Sequence, residues 1–136
     1  MRLLLVDNDP DFRWLVQAAA PAWLEVAACP STREAIGLLD SPEGEAIHLA
    51  LVDLSMDAFL EPLDELEGLG FVRWMRSRGK GIPTILVSAH PELAVGGCSD
   101  DTAVVGLLRK PVDFDNLFRF CGTFRDLFLE REAQGG

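Results

Sequence analysis

The sequence predicts an α/β fold: a parallel sheet of five strands with helices on both faces. Three observations predict it. Short apolar runs alternate with segments of helical period from one end of the chain to the other. The runs are apolar at nearly every position, as in strands covered on both faces. The 136 residues are the size of one domain, and no repeat or linker divides them. Right-handed crossovers then leave a doubly wound (βα)5 sandwich as the economical topology.

The elements follow in order. Leu3 to Val6 is the first strand. Asp9-Pro10 reads as an N-cap with proline in the first helical turn; Phe12, Val16 and Ala19 form the inward face, and Pro21 ends the helix. Trp23 to Ala28 is the second strand. Ser31-Thr32-Arg33-Glu34 is a capping box that opens a helix through about Asp40, and Ser41 to Gly44 reads as a loop. Ile47 to Leu54 is the third strand, interrupted near its end by Asp53. Ser55 to Glu67 is an acidic loop, and Gly68 to Arg78 is helical through Leu69, Val72 and Met75. Pro83 to Val87 is the fourth strand. Pro91 to Cys98 is a weak helix because of Gly96-Gly97. Val104 to Leu108 is the fifth strand. Asp113 caps a last helix with Leu117, Phe120, Phe124 and Leu127 on one face. Residues 1–130 make the domain and 131–136 a frayed tail.

Charge and composition narrow the function. The formal net charge is -10 and the pI about 4.5. An acidic surface argues against nucleic acid, which needs a basic patch, and against anionic membranes. A basic partner or a carboxylate-held metal fits better. Cys29, Cys98 and Cys121 show no CxxC spacing and read as reduced thiols of a cytoplasmic protein. No apolar run approaches a membrane span. Met1 to Val6 is too short for a signal peptide. Of twelve basic residues only Lys80 and Lys110 are lysines, so each marks a place where arginine does not serve.

In doubly wound sheets, ligands bind at the carboxyl ends of the strands. Asp7, Asn8 and Asp9 follow the first strand, Asp53 ends the third, Ser88 the fourth and Lys110 the fifth. Converging carboxylates repel and need a cation to stay ionised. A hard divalent ion takes oxygen ligands. A lysine adds a positive point charge, and a serine hydroxyl orients an arriving oxygen. Together they suit a phosphoryl group, with a carboxylate as nucleophile. Each has a plainer reading alone: Asp9 a helix cap, Asp7 a turn residue, Ser88 a strand-end cap, Lys110 a solvated charge. Asp53 is harder to explain away, because it breaks a buried strand.

The ordered pieces Leu4-Leu5-Val6-Asp7-Asn8-Asp9-Pro10, Leu51-Val52-Asp53-Leu54-Ser55-Met56, Ile82-Pro83-Thr84-Ile85-Leu86-Val87-Ser88-Ala89-His90 and Lys110-Pro111 resemble the receiver domain of the two-component response-regulator family. The match runs from Leu3 to about Leu129. The resemblance implies a flavodoxin-like sheet of order 2-1-3-4-5. It implies that Asp53 accepts a phosphoryl group from a histidine kinase or phosphotransfer protein. Mg2+ would be held by Asp7, Asp53, the Ser55 carbonyl and the Asn8 side chain. Ser88 would be the switch hydroxyl and Lys110 the phosphoryl-contacting lysine, with a Lys-Pro bond that is often cis.

Four departures stand out against that family. Asn8 replaces an acidic metal ligand, which lowers the expected Mg2+ affinity. Asp57, Glu61, Asp64, Glu65 and Glu67 mark an acidic insertion: either a solvated loop, or a source of a compensating carboxylate or of restricted partner access. Leu107 stands where an aromatic switch residue is usual. Gly96-Gly97 shortens or loosens a helix that often serves output. Ser55 and His90 occupy positions that tune phosphoryl lifetime in the family, although a lone histidine also reads as a bystander. By the same analogy the kinase docks near the first helix. Output contacts would lie on segment 91–98, the fifth strand and the last helix. Trp14 reads as a partly exposed anchor; Phe118 and Leu129 read as a dimer or partner interface, or as extra core. The expected function is a stand-alone phosphorylated signalling switch, not an enzyme. The alternative is a degenerate receiver that binds partners without phosphorylation. An unrelated nucleotide or flavin binder lacks its glycine-rich motif.

Overall fold

A computed structural model describes residues 1–54, 67–79, 81–89 and 104–129. The sheet is five-stranded and parallel, in the order β2-β1-β3-β4-β5, with β1 at Arg2–Val6, β2 at Glu25–Cys29, β3 at Leu49–Asp53, β4 at Thr84–Ser88 and β5 at Val104–Arg109. The helices are α1 (Pro10–Ala19), α2 (Thr32–Leu39), α3 (Glu67–Ser77) and α4 (Phe114–Phe124).

Side-chain alternation along each strand divides the core in two. Leu4, Val6, Ala50, Val52 and Leu86 face α2 and α3, where Ala35, Leu39, Phe71, Val72 and Met75 meet them. Leu3, Leu5, Leu49, Leu51, Ile85 and Val87 face α1 and α4, against Val16, Leu117, Cys121 and Phe124. The three central strands are buried throughout apart from Arg2. That is why their sequences read as continuous apolar runs.

The helix starts follow the sequence. The Asp9 side chain accepts from the Asp11 amide at 2.9 Å, Ser31 Oγ accepts from the Glu34 amide at 3.2 Å, and Asp113 accepts from Asp115 and Asn116. Each satisfies amides that the first turn leaves unpaired. Ala20 is extended at ψ 134, because a residue before proline is pushed out of the helical region.

Several expectations need correction. Ala19 is exposed, and Ala20, one residue on, packs against the core instead. The second strand begins at Glu25 rather than Trp23. Pro42–Ala46 is a turn of 3-10 helix, not an open loop. Its Gly44 is required: a Cβ there would lie 2.5 Å from the Leu39 backbone. Leu127 is 54% exposed. After Phe124 the chain continues as a wide π turn, Arg125–Leu129, whose slower rotation per residue carries Leu127 off the inward stripe. Phe118 is half-buried, stacks on Phe114 and packs on the core, so it is core rather than a spare contact. The Leu129 side chain, the segment 91–98 and the insertion from Asp57 to Glu65 lie outside the described residues.

Strand β5 carries an irregularity that sets its phase. Thr84 pairs with Val104, but Ile85 pairs with Gly106, which leaves Val105 as an extra residue. Val104 packs on the α2–α3 side of the sheet, while Gly106 faces Phe120 of α4. Leu107 then returns to the first side and Leu108 to the second. A Cβ on Gly106 would approach the Phe120 ring to 3.2 Å, so glycine lets α4 close onto the sheet.

Candidate functional site

The carboxyl ends of the strands bring together the residues singled out above. Val6 pairs with Val52 at the end of the β1–β3 ladder. The next residues are Asp7 and Asp53, which share the side of the sheet that Leu5 and Leu51 occupy. Both carboxylates are 2% exposed. Asp53 pairs with Val87 in β4. The Leu54 amide donates to the Val87 carbonyl at 2.9 Å, and the Lys110 amide donates to the Ser88 carbonyl at 3.0 Å. The sheet ladder thus fixes Asp53, Ser88 and Lys110 relative to one another.

Lys110 Nζ lies 2.7 Å from Asp53 Oδ2 and donates to it. This is a charge-assisted bond to a buried carboxylate. The Lys110-Pro111 peptide is cis. Asp7 is held through three groups. Its amide donates to the Cys29 carbonyl at 3.1 Å. Its Oδ1 accepts from the Asp9 amide at 2.8 Å. Its carbonyl accepts from Arg13 Nη1 at 2.7 Å. Burial, helped by the nearby Asp53 charge, raises the Asp7 carboxyl to about 6 against the opposing pull of the Asp9 amide and Lys110.

Among the described residues, two buried carboxylates lie beside Lys110, and oxygen donors of this kind suit a cation. Asp7 and Asp53 offer the hard oxygen donors that Mg2+ takes. Asn8 follows directly and is exposed. Among the described residues no group of three His, Cys, Asp or Glu gathers at one point. Ser55 and His90 lie outside the described residues.

Beside the site, a cleft of about 510 Å3 opens between α1 and the start of α4. Phe12, Leu15, Val112 and Phe114 give it apolar walls, and Asp7, Asp9, Asp11 and Lys110 rim it. Phe12 and Phe114 meet with ring centroids 6.0 Å apart. Trp14 and Leu15 are exposed, at 66% and 44%. The sequence reading singled out Trp14 but missed the cleft and Arg13. The signal for the cleft was available in Phe12 and Phe114, apolar residues three and one positions after the acidic caps Asp9 and Asp113.

This geometry can be set beside known proteins. Residues 3–120 match the response regulator receiver domain. The chain belongs to that family. The transcriptional regulatory protein ZraR of Escherichia coli is 27% identical over 116 residues, which cover 85% of this chain and 24% of ZraR. GlrR of the same species is 28% identical over 118 residues, covering 86% and 24%. The chain therefore spans about a quarter of the length of these curated relatives. Among solved structures, the signal receiver domain of a putative Luxo repressor protein from Vibrio parahaemolyticus superposes with TM-score 0.78 at 19% identity, covering 99% of this chain and 97% of that one. The response regulator TrrA from Thermotoga maritima, in complex with Mg2+-BeF, gives TM-score 0.66 at 22% identity, covering 90% and 96%. At such identities these structures establish the fold. The sheet order 2-1-3-4-5 is that of CheY-like receivers. The receiver domain of a two-component response regulator is a signalling switch rather than a conventional enzyme. Among the described residues no helix is long and apolar enough to cross a membrane.

Proposed function

We propose that this receiver accepts a phosphoryl group on Asp53 and passes the signal on through protein contacts. The observation that carries the reading is the 2.7 Å bond between Lys110 Nζ and buried Asp53 Oδ2. A buried carboxylate oxygen held in place by a lysine is a usable nucleophile. A carboxylate oxygen of Asp53 attacks the phosphorus of a phosphohistidine on a sensor kinase or phosphotransfer protein. The P–N bond breaks, and its electron pair returns to the imidazole nitrogen, which takes a proton. The Lys110 side chain meets the added phosphoryl charge. The Ser88 hydroxyl, at the end of the neighbouring strand, serves as donor to a phosphoryl oxygen. Asp7, Asp53, Asn8 and the Ser55 carbonyl would hold Mg2+, which would supply positive charge beside the transferring phosphoryl group.

The cleft beside α1 suits docking of the donor. Its apolar walls and acidic rim fit a helix with an apolar stripe flanked by basic residues. Exposed Val105 and Leu127, at 40% and 54%, lie on β5 and the turn after α4, where a downstream protein or second copy would contact the switch.

Asn8 favours a second reading, in which the receiver binds partners without being phosphorylated. One experiment separates the two: incubation with Mg2+ and a small phosphodonor, followed by intact-mass measurement. The phosphorylated reading expects a gain that Asp53→Asn abolishes. No gain from either a small donor or a phosphohistidine protein supports the second.

A further inference from the structure

The short bond from Arg13 to the main chain of Asp7 has no part in the scheme above. The Asp7 carbonyl lies one residue beyond β1 and outside the sheet ladder. The chain supplies few nearby donors. Residue 10, three positions on, is proline and has no N–H. The Asp11 amide is taken by the Asp9 side chain at 2.9 Å. The Asp9 amide is taken by Asp7 Oδ1 at 2.8 Å, and the Arg13 amide by the Asp9 carbonyl at 3.1 Å. The donor that reaches the Asp7 carbonyl is the Arg13 guanidinium, at 2.7 Å. It comes from the first turn of α1, and the length is that of a charge-assisted bond.

That carbonyl belongs to the peptide plane joining Asp7 to Asn8. Its orientation sets the direction in which the chain leaves the Asp7 carboxylate and the place where Asn8 stands. We infer that Arg13 is a positioning residue for cation binding: its guanidinium fixes the Asp7–Asn8 peptide so that both residues serve one cation. The inference rests on the cation-dependent reading above. The positioning matters more here than with two adjacent carboxylates. A neutral amide attracts a cation weakly, so Asn8 contributes only if it is already in place.

Thermal unfolding of the full chain against Mg2+ concentration tests this. Each variant is referred to its own melting temperature in EDTA, which removes any general loss of stability. A ligand that binds only the folded state stabilises it by RT ln(1 + [L]/Kd), so a weaker site needs proportionally more ligand for the same rise in midpoint. Arg13→Ala is expected to need about 10-fold more Mg2+ for the same shift. Arg13→Lys keeps a cationic donor and recovers part of that loss. Arg13→Gln falls between Arg13→Lys and Arg13→Ala. Phosphorylation rates should follow the same split, with the loss of rate largely relieved at saturating Mg2+. A purely structural arginine would lower the EDTA melting temperature and leave the Mg2+ dependence unchanged, which overturns the inference. Tighter Mg2+ binding in Arg13→Ala also overturns it, since the guanidinium would then only repel the cation. If Arg13→Ala does not fold, Arg13→Gln and Arg13→Lys decide the matter, and equal Mg2+ dependence in both overturns it. If the unaltered chain shows no Mg2+ shift at all, the cation-dependent reading itself falls and this inference falls with it.

Discussion

Asp7 places a cost on the fold that substitution should relieve. Its carboxyl is 2% exposed. It titrates at about 6 instead of 3.8, first because burial disfavours the charged form and then because Asp53 lies near; the Asp9 amide and Lys110 oppose both. The folded value lies above the unfolded one, so the folded chain holds this proton more tightly. The stability it contributes is complete below about pH 3.8 and is lost as pH rises through about 6. At neutral pH without a cation the difference amounts to about 3 kcal/mol. Asp7→Asn removes the ionisation and keeps an acceptor for the Asp9 amide. In EDTA at neutral pH the variant should be more stable than the parent by up to about 3 kcal/mol, with the advantage shrinking as pH falls through about 6 and gone below about pH 3.8. Urea unfolding followed by tryptophan fluorescence across that range measures it. Added Mg2+ should narrow the gap, because it stabilises only the chain with an ionised Asp7. An advantage that does not change with pH, or a variant less stable than its parent at neutral pH, refutes the reasoning.

Other perturbations have similarly defined outcomes. Lys110→Met leaves the Asp53 carboxylate buried without its 2.7 Å partner and should cost about 3 kcal/mol in urea unfolding; adding Asp53→Asn should return much of it, and strict additivity would contradict the pairing. Gly106→Val drives a side chain toward the Phe120 ring, already 3.2 Å from a bare Cβ. It should destabilise by about 1–3 kcal/mol, partly relieved by Phe120→Leu. Burial raises the Cys121 thiol to about 11 and pushes the Cys29 thiol up as well. Both should resist alkylation at neutral pH until urea exposes them; peptide mapping that finds Cys121 modified in the native protein would count against this packing.

The sheet and the meeting of Asp7, Asp53 and Lys110 in the candidate site were legible in the sequence for one physical reason. A strand buried on both faces tolerates polar residues only at its end, so Asp7, Asp53 and Ser88 mark both the strand ends and the site. The parity that sends Asp7 and Asp53 to one side of the sheet follows from the two-residue period. What stayed hidden depends on contacts between distant segments or on a change of helical phase. Leu127 reads as inward on an ideal helix, and only the π turn after Phe124 turns it out. Pro42–Ala46 curls because Gly44 packs against the Leu39 backbone, a contact that turn-forming residues do not announce. Arg13 carries no motif of its own in the sequence. The clue was Pro10, which removes a backbone donor near the Asp7 carbonyl and leaves a side chain to supply it.

The central claim is that buried Asp53, paired with Lys110, is the phosphorylated residue. Intact-mass spectrometry after incubation with Mg2+ and a small phosphodonor tests it most directly. A single phosphoryl gain is expected in the unaltered chain, absent in Asp53→Asn and dependent on Mg2+. A gain that survives Asp53→Asn, or no gain with either a small donor or a phosphohistidine protein, would contradict it.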